Sequence, residues 1–179
     1  MIGRFESKRF GCGCRGPIHP LYAPNDTTLY SSAVSTEAIH MDQAVSELNE
    51  LLATMSPVHH PGCYVVTSAV NPGSLTLQDV VASIQEPEGL SLIVSEQRAH
   101  ELGLPILLRC AWITLTVHSD LQAVGLTASF ARALADEGIA CNVVAGARHD
   151  HIFVPIAAAA AAVNALNNLQ SRALRARNR

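Results

Sequence analysis

The sequence predicts an α+β fold of two tandem ferredoxin-like units with antiparallel sheets. Residues 112–155 run in the order strand, helix, strand, strand, helix, which is most of a βαββαβ unit. The same pattern occurs earlier in the chain. Sliding the sequence by 78 residues gives nine identities over the thirty-four positions 36–69, without gaps. These matches fall strand on strand and helix on helix, which indicates a repeat; chance agreement between two amphipathic patterns is the alternative.

The elements of the second unit follow from local patterns. Residues 112–118 have the alternation and β-branched content of a strand. A helix is predicted over 124–137, because Leu126, Phe130 and Leu134 recur at helical spacing. Gly138 is expected to be the left-handed residue that follows this helix. Strands are predicted at 140–145 and 150–154 around a turn, and Pro155 is expected to begin an alanine-rich helix.

The first unit and its flanks are predicted in the same way. We expect strands at 34–40, 63–70, 77–85 and 90–94, a helix face from Met41 to Met55 that Pro57 ends, a turn at 71–73, and a short helix at 96–102 between Ser95 and Gly103. The expected domains are an irregular N-terminal arm at 1–33, a first unit at 34–108, a second unit at 109–170 and a basic tail at 171–179.

Composition excludes several function classes. Residues 26–171 hold four basic and fourteen acidic residues, a formal charge of −10, which disfavours nucleic acid as a partner. The apolar stretch 152–166 is too short to cross a bilayer, and no membrane association is expected. The first thirty residues contain no apolar run of the kind a signal peptide needs, so we expect a cytoplasmic protein with reduced thiols.

Catalysis is not predicted. His118, Ser119 and Asp120 include the residue types of a catalytic triad, but adjacent residues cannot form its relay. Gly11, Gly13 and Gly16 spell GxGxxG without a preceding strand, so dinucleotide binding is not expected, and no cofactor is predicted.

Residues 118–127 form the main candidate site, since they connect a strand to a helix. A helix N-terminus presents free N–H groups and a positive dipole end, which suit a carboxylate. Asp120 could hold a ligand ammonium, Ser119 or Thr127 could supply a hydroxyl, and Gly125 would let the backbone approach the ligand. Alternatively, Asp120 or Ser119 only caps the helix and Gly125 only allows close packing.

A second candidate site is the pair His149 and His151, which alternation places on one face of a strand, with Asp150 on the other. We expect both imidazoles to line the same cleft as the loop. Alternatively, the two histidines only bond backbone carbonyls of the hairpin, or they form a three-histidine metal site with His118, although we expect no metal.

Several motifs also resemble a known family, the ACT domain, which is a small regulatory module of amino-acid metabolism. They are WITLTVHS, VGLTA, CNVVAG and HDHIFVP, and they look most like small stand-alone bacterial ACT-domain proteins. Aspartokinase-type ACT domains have a similar layout. One departure is that many amino-acid-binding ACT domains have Asp-Arg-Pro-Gly before the helix, whereas four residues separate Asp120 from Gly125 here.

The resemblance implies a non-catalytic sensor that binds an amino acid or related carboxylate, pairs as a homodimer and acts through an unknown effector protein. The implied ligand contacts are Ser119, Asp120, Val124, Gly125, Leu126 and Thr127, with Asn142 and Val143 across from them. Since Glu47 stands where the repeat would place a counterpart of Gly125, we expect only the second unit to bind. A metal-binding protein and a ligand-free assembly module are the alternatives.

Overall fold

The structure, a computed structural model, describes residues 47–69, 75–117 and 119–179. The expected strand at 34–40, the start of the first helix, the turn at 71–73 and His118 lie outside these residues. The helices are α1 (Leu48–Thr54), α2 (Glu96–Glu101), α3 (Leu126–Asp136) and α4 (Ala159–Arg177). The strands are β1 (Pro57–His59), β2 (Tyr64–Ala69), β3 (Val80–Glu86), β4 (Gly89–Ser95), β5 (Leu108–Leu115), β6 (Asn142–Ala145) and β7 (Asp150–Pro155).

The seven strands of the described residues belong to one antiparallel sheet with the order β3-β4-β2-β5-β7-β6, and β1 also pairs with β5. Strand β5 joins the two units. Its first residues, Leu108 to Cys110, pair with β2, and its last residues, Ile113 to Leu115, pair with β1. The two ferredoxin-like units therefore share a strand in one continuous sheet.

The main core lies between one face of this sheet and helices α1, α3 and α4. Phe130 of α3, Leu166 of α4 and Ile113 of β5 are fully buried in a single cluster. Leu51 and Met55, from α1 and its C-terminal end, are fully buried in the same cluster. Although α1 precedes the first sheet strands in sequence, it completes the core of the second unit.

A smaller core lies on the same side of the sheet in the first unit. Val65 of β2, Leu92 and Val94 of β4, and Ala99 of α2 form it. The predicted caps of α2 are present: the Arg98 N–H donates to the Ser95 hydroxyl at 3.2 Å, and Gly103 adopts a φ of 63°. The short helix is thereby fixed over β2 and β4.

The second face of the sheet is also apolar. Phe153 and Cys110 are fully buried there, with Tyr64 and Trp112 beside them. Burial raises the pKa of the Cys110 thiol to about 11, so that thiol stays protonated at neutral pH. This face and the core face use alternate residues of β5 and β7, as the pleat requires.

Two predicted elements differ from those observed. Residues 77–79, expected to begin a strand, form a turn, because the N–H and hydroxyl of Thr76 both donate to the Asp79 carboxylate at 2.8 Å. The residues expected to form a basic tail are helical as far as Arg177, since α4 continues through them. No helix in the described part of the chain is long and apolar enough to cross a membrane.

Candidate functional site

The loop before α3 is organised by Asp120. Its Oδ1 accepts the Gln122 N–H at 2.9 Å, and its main-chain carbonyl accepts the Ala123 N–H at 2.9 Å. These bonds fold residues 120–123 into a turn. One carboxylate oxygen of Asp120 is thus used to hold the loop, and it caps this turn rather than the helix.

Gly125 is the N-cap of α3 and has a φ of 101°, which side chains other than glycine rarely adopt. A Cβ at this position would lie 2.9 Å from Cδ2 of Leu48 in α1. Its small size therefore allows close packing against α1, which was the alternative considered for this glycine. The N-cap contributes no side-chain hydrogen bond, so the first turn of α3 has no side-chain cap.

A cavity of about 80 Å³ opens at this uncapped helix end. Ser119, Asp120, Leu126 and Thr127 line it, and all four belong to the set of contacts expected from the sequence. The other walls are Leu121 and Ala123 of the loop, Ala145 and Gly146 at the end of β6, and Asp150. The structure thus combines helix N–H groups, hydroxyls and carboxylates around one small space.

Asp150 is the charged lining residue that was not among the predicted contacts. It begins β7 opposite Leu115 of β5 and Ala145 of β6, and its side chain is only 8% exposed. Burial raises the pKa of its carboxyl group, while His151 and His149 oppose that shift. The alternation of the strand was the available signal, because it already separated Asp150 from the neighbouring histidines.

The remaining predicted contacts lie elsewhere. Val124 is 85% exposed to solvent, and Gly125 faces Leu48. Asn142 and Val143 line a different depression of about 290 Å³, together with Ile93 and Phe153. These residues are therefore not brought together with Asp120 around the small cavity.

The two histidines also point away from the cavity. The Nδ1 atom of His149 lies 3.1 Å from the carbonyl oxygen of Val117, which fixes its ring at the sheet edge. His151 pairs with Thr114 and Val144 on the face opposite Asp150, where its Nδ1 accepts the Trp112 indole N–H. Among the residues described, no three His, Cys, Asp or Glu side chains are arranged to hold a metal ion.

Comparisons with known proteins were made for the sequence and for the fold. Two family models, each described as an ACT domain, match residues 43–111 and 107–168. No match was found among curated proteins.

Solved structures give further matches. A protein of unknown function from Vibrio cholerae is 44% identical, with a TM-score of 0.62, over 69% of this chain and 95% of its own. A protein from Agobacterium tumefaciens is 15% identical, with a TM-score of 0.51, over 65% of this chain and 89% of its own, which shows a similar fold. The regulatory subunit of aspartate kinase from Thermus thermophilus is 14% identical, with a TM-score of 0.48, over 66% of this chain and 97% of its own.

The two family models overlap at residues 107–111, within and beside the shared strand β5. The resemblance to the ACT domain is thereby confirmed, and the chain belongs to the ACT-domain family, with two ACT-type units in tandem.

Proposed function

We propose that this protein is a non-catalytic regulatory sensor that binds a small amino acid, or a related carboxylate, in the cavity between residues 119–127 and β7. The observation that carries the proposal is the composition of that cavity. It joins the uncapped N-terminus of α3 to the carboxylates of Asp120 and Asp150.

The two ends of the cavity suit the two charges of an α-amino acid. The N–H groups that begin an α-helix favour an anion, so the ligand carboxylate would lie against Leu126 and Thr127. The acidic side would then receive the ammonium group. The two ACT-domain family models support a regulatory output, since the resemblance to that family implies a regulatory module.

A thermal-shift screen of the standard amino acids tests the proposal. A ligand at 100 times its Kd should add about 2.7 kcal/mol to the free energy of unfolding. For a chain of this size, that gain corresponds to a rise in Tm of roughly 5 to 10 °C. If no amino acid or metabolite carboxylate raises the Tm, the sensor function is contradicted.

Asp120→Asn is the matching variant, because the amide oxygen can still accept the Gln122 N–H while the negative charge is removed. We expect it to fold normally and to lose the shift. Asp136→Asn makes the same chemical change at the far end of α3, where Asp136 pairs with Arg132 on the surface, and it should keep the shift.

We also propose one binding site per chain, in the second unit, and a homodimer that holds the ligand near its interface. The exposed apolar side chains of Leu121 and Val124 on the site loop support the dimer, since they are 71% and 85% exposed. Calorimetric titration should give a stoichiometry of one, and a two-site isotherm would contradict it. Val124→Asp should lower the mass measured by light scattering to that of a monomer.

A further inference from the structure

Asp150 lies in the cavity wall, and no described residue forms an ion pair with its carboxylate. At the register of Leu115 and Ala145, its carboxylate points toward α3 and not toward the histidine face. The residue is 8% exposed, and its carboxylate accepts no hydrogen bond from any described residue. Asp120, by contrast, already uses one oxygen to hold its own turn.

Within the part of the chain that the structure describes, no group beside Asp150 carries a permanent positive charge. The first turn of α3 and the whole of β6 carry no charged side chain. The only cation of β5 is Arg109, which pairs with Val65 at the far end of that strand and binds Glu96. Arg148 of the hairpin is exposed, Asp120 is acidic, and His118 lies outside the described residues.

The flanking histidines do not line the cavity, although both oppose the rise in the pKa of Asp150. The Nδ1 of His151 accepts the Trp112 N–H at 3.1 Å and therefore carries no proton. Burial, with His149 and His60 as smaller contributions, lowers the pKa of His151. His149 donates toward the Val117 carbonyl and is absent from the cavity wall.

From this geometry, we propose that Asp150 selects ligands that carry an amino group, and that ligand binding displaces a proton from its carboxyl group. The inference rests on the proposed function and specifies which chemical group of the ligand the site recognises. In the free protein burial raises the pKa of the carboxyl group, so it holds its proton to a higher pH than an ordinary aspartate does. A ligand ammonium would provide the missing counter-charge, so the bound carboxylate would be ionised and the proton would leave to solvent.

This arrangement discriminates by chemical class. A 2-hydroxy or 2-oxo acid of the same carbon skeleton offers the carboxylate for the helix end but no ammonium for Asp150. A charge-assisted hydrogen bond is then missing, and we expect such analogues to bind roughly 100-fold more weakly than the amino acid. A divalent cation is the less suitable counter-charge, since the positive end of α3 faces the same cavity.

Calorimetry with paired probes tests the inference. Glycine, L-alanine and L-serine, and any other amino acid that raises the Tm, are titrated into wild-type protein beside their 2-hydroxy counterparts. Each titration is done near pH 5 in two buffers that differ in ionisation enthalpy, so that proton release is counted directly. We expect proton release with the amino acids and an affinity that falls as the pH is lowered, because protonated Asp150 cannot pair with an ammonium.

Asp150→Asn is the decisive variant, with Asp136→Asn as its control. We expect Asp150→Asn to bind the amino acids roughly 100-fold more weakly, to lose the proton release, and to bind the 2-hydroxy acids about as well as wild type does. If amino acids bind wild type and Asp150→Asn equally, with equal proton release, this inference is overturned while the sensor function stands. If no amino acid binds wild type, both are overturned.

A measurement on the ligand-free protein tests whether the pKa of Asp150 is raised before a ligand binds. In ¹³C NMR of the free protein, the carboxyl signal that disappears in Asp150→Asn should titrate above the range of ordinary aspartates, since burial raises its pKa. A signal that titrates at the ordinary aspartate position would overturn the displaced-proton mechanism, whatever the amino acids do.

Discussion

The indole N–H of Trp112 donates a 3.1 Å hydrogen bond to Nδ1 of His151. Because an indole nitrogen can only donate, Nδ1 must accept, which requires a neutral imidazole protonated at Nε2. Thr114 extends this contact, since its hydroxyl oxygen lies 3.0 Å from His151 Nδ1 and 2.8 Å from His60 Nε2. His60 in turn stacks on Trp112 with ring centroids 3.6 Å apart. One polar chain thus links β1, β5 and β7 on the sheet face opposite the cavity.

Acid should break this chain, and the single tryptophan should report it. Burial lowers the pKa of both His151 and His60, so both stay neutral until the pH falls below the ordinary histidine value of about 6.5. Protonated Nδ1 can no longer accept from Trp112, and we expect a change in tryptophan emission over that range. His151→Gln should remove most of the change, whereas His59→Gln, an exposed neighbour in β1, should leave it.

The same titration affects stability, with a sign that follows from the lowered pKa. A histidine whose pKa is lower in the folded state binds more protons when unfolded. Its contribution to stability is therefore complete above the unfolded pKa of about 6.5 and is lost as the pH falls through the folded value. The free energy of unfolding, measured with urea, should drop more steeply below about pH 6 in wild type than in His151→Gln. Equal slopes would contradict this assignment.

Gly125→Ala should destabilise the protein for two reasons. The backbone φ of 101° strains any residue with a Cβ, and that Cβ would meet Cδ2 of Leu48 at 2.9 Å. We expect a loss of roughly 2 kcal/mol in urea unfolding. Gly138→Ala is the matched control, because its φ of 70° is also positive but nothing lies within 4 Å of the added methyl group. An equal loss in the two variants would show that Leu48 moves aside without cost.

The location of α1 leads to a third expectation. Leu51 is fully buried in the same cluster as Phe130 and Leu166, so its truncation should disrupt the core of the second unit. Leu51→Ala should lower the free energy of unfolding by about 2 to 5 kcal/mol. Leu77→Ala, at a position that is 94% exposed, should change it by less than about 0.5 kcal/mol. A small effect of Leu51→Ala would contradict the packing of α1 against that core.

Much of the local structure could be predicted from sequence, because local signals determine it. Helix α3 appears where Leu126, Phe130 and Leu134 predicted it, and Gly138 ends it with a φ of 70°. Strand β1 was not predicted, since the three residues Pro57–His59 are too few to show a period, and its pairing with β5 spans more than fifty residues. Long-range pairing of this kind cannot be read from local propensity.

The candidate site, too, could be predicted only where local sequence determines it. Ser119, Asp120 and Thr127 were selected because a strand-to-helix junction has a recognisable sequence, and Leu126 because the family resemblance implied it; all four line one cavity. Alternation separated Asp150 from His151, yet it could not tell which face of β7 turns toward α3. That choice depends on which side of the sheet the helices cover, and only the assembled fold determines it.

Asp150→Asn should make the free protein more stable at neutral pH while it weakens ligand binding. A carboxyl group whose pKa is raised by folding contributes fully to stability below its unfolded pKa of about 3.9, and that contribution is lost as the pH rises through the folded value. The amide cannot ionise, so the variant avoids the cost of a buried charge without a partner.

We expect a gain of roughly 1 kcal/mol in urea unfolding near pH 8, shrinking toward zero near pH 4. Asp136→Asn, at an exposed ion pair, should show no such gain. If Asp150→Asn is less stable than wild type at pH 8, the carboxylate stabilises the free protein. The proposal that this carboxylate stays unpaired until a ligand cation binds would then be wrong. A gain in stability together with a loss of binding would show that the buried charge is retained for binding at the expense of stability, as preorganised sites commonly require.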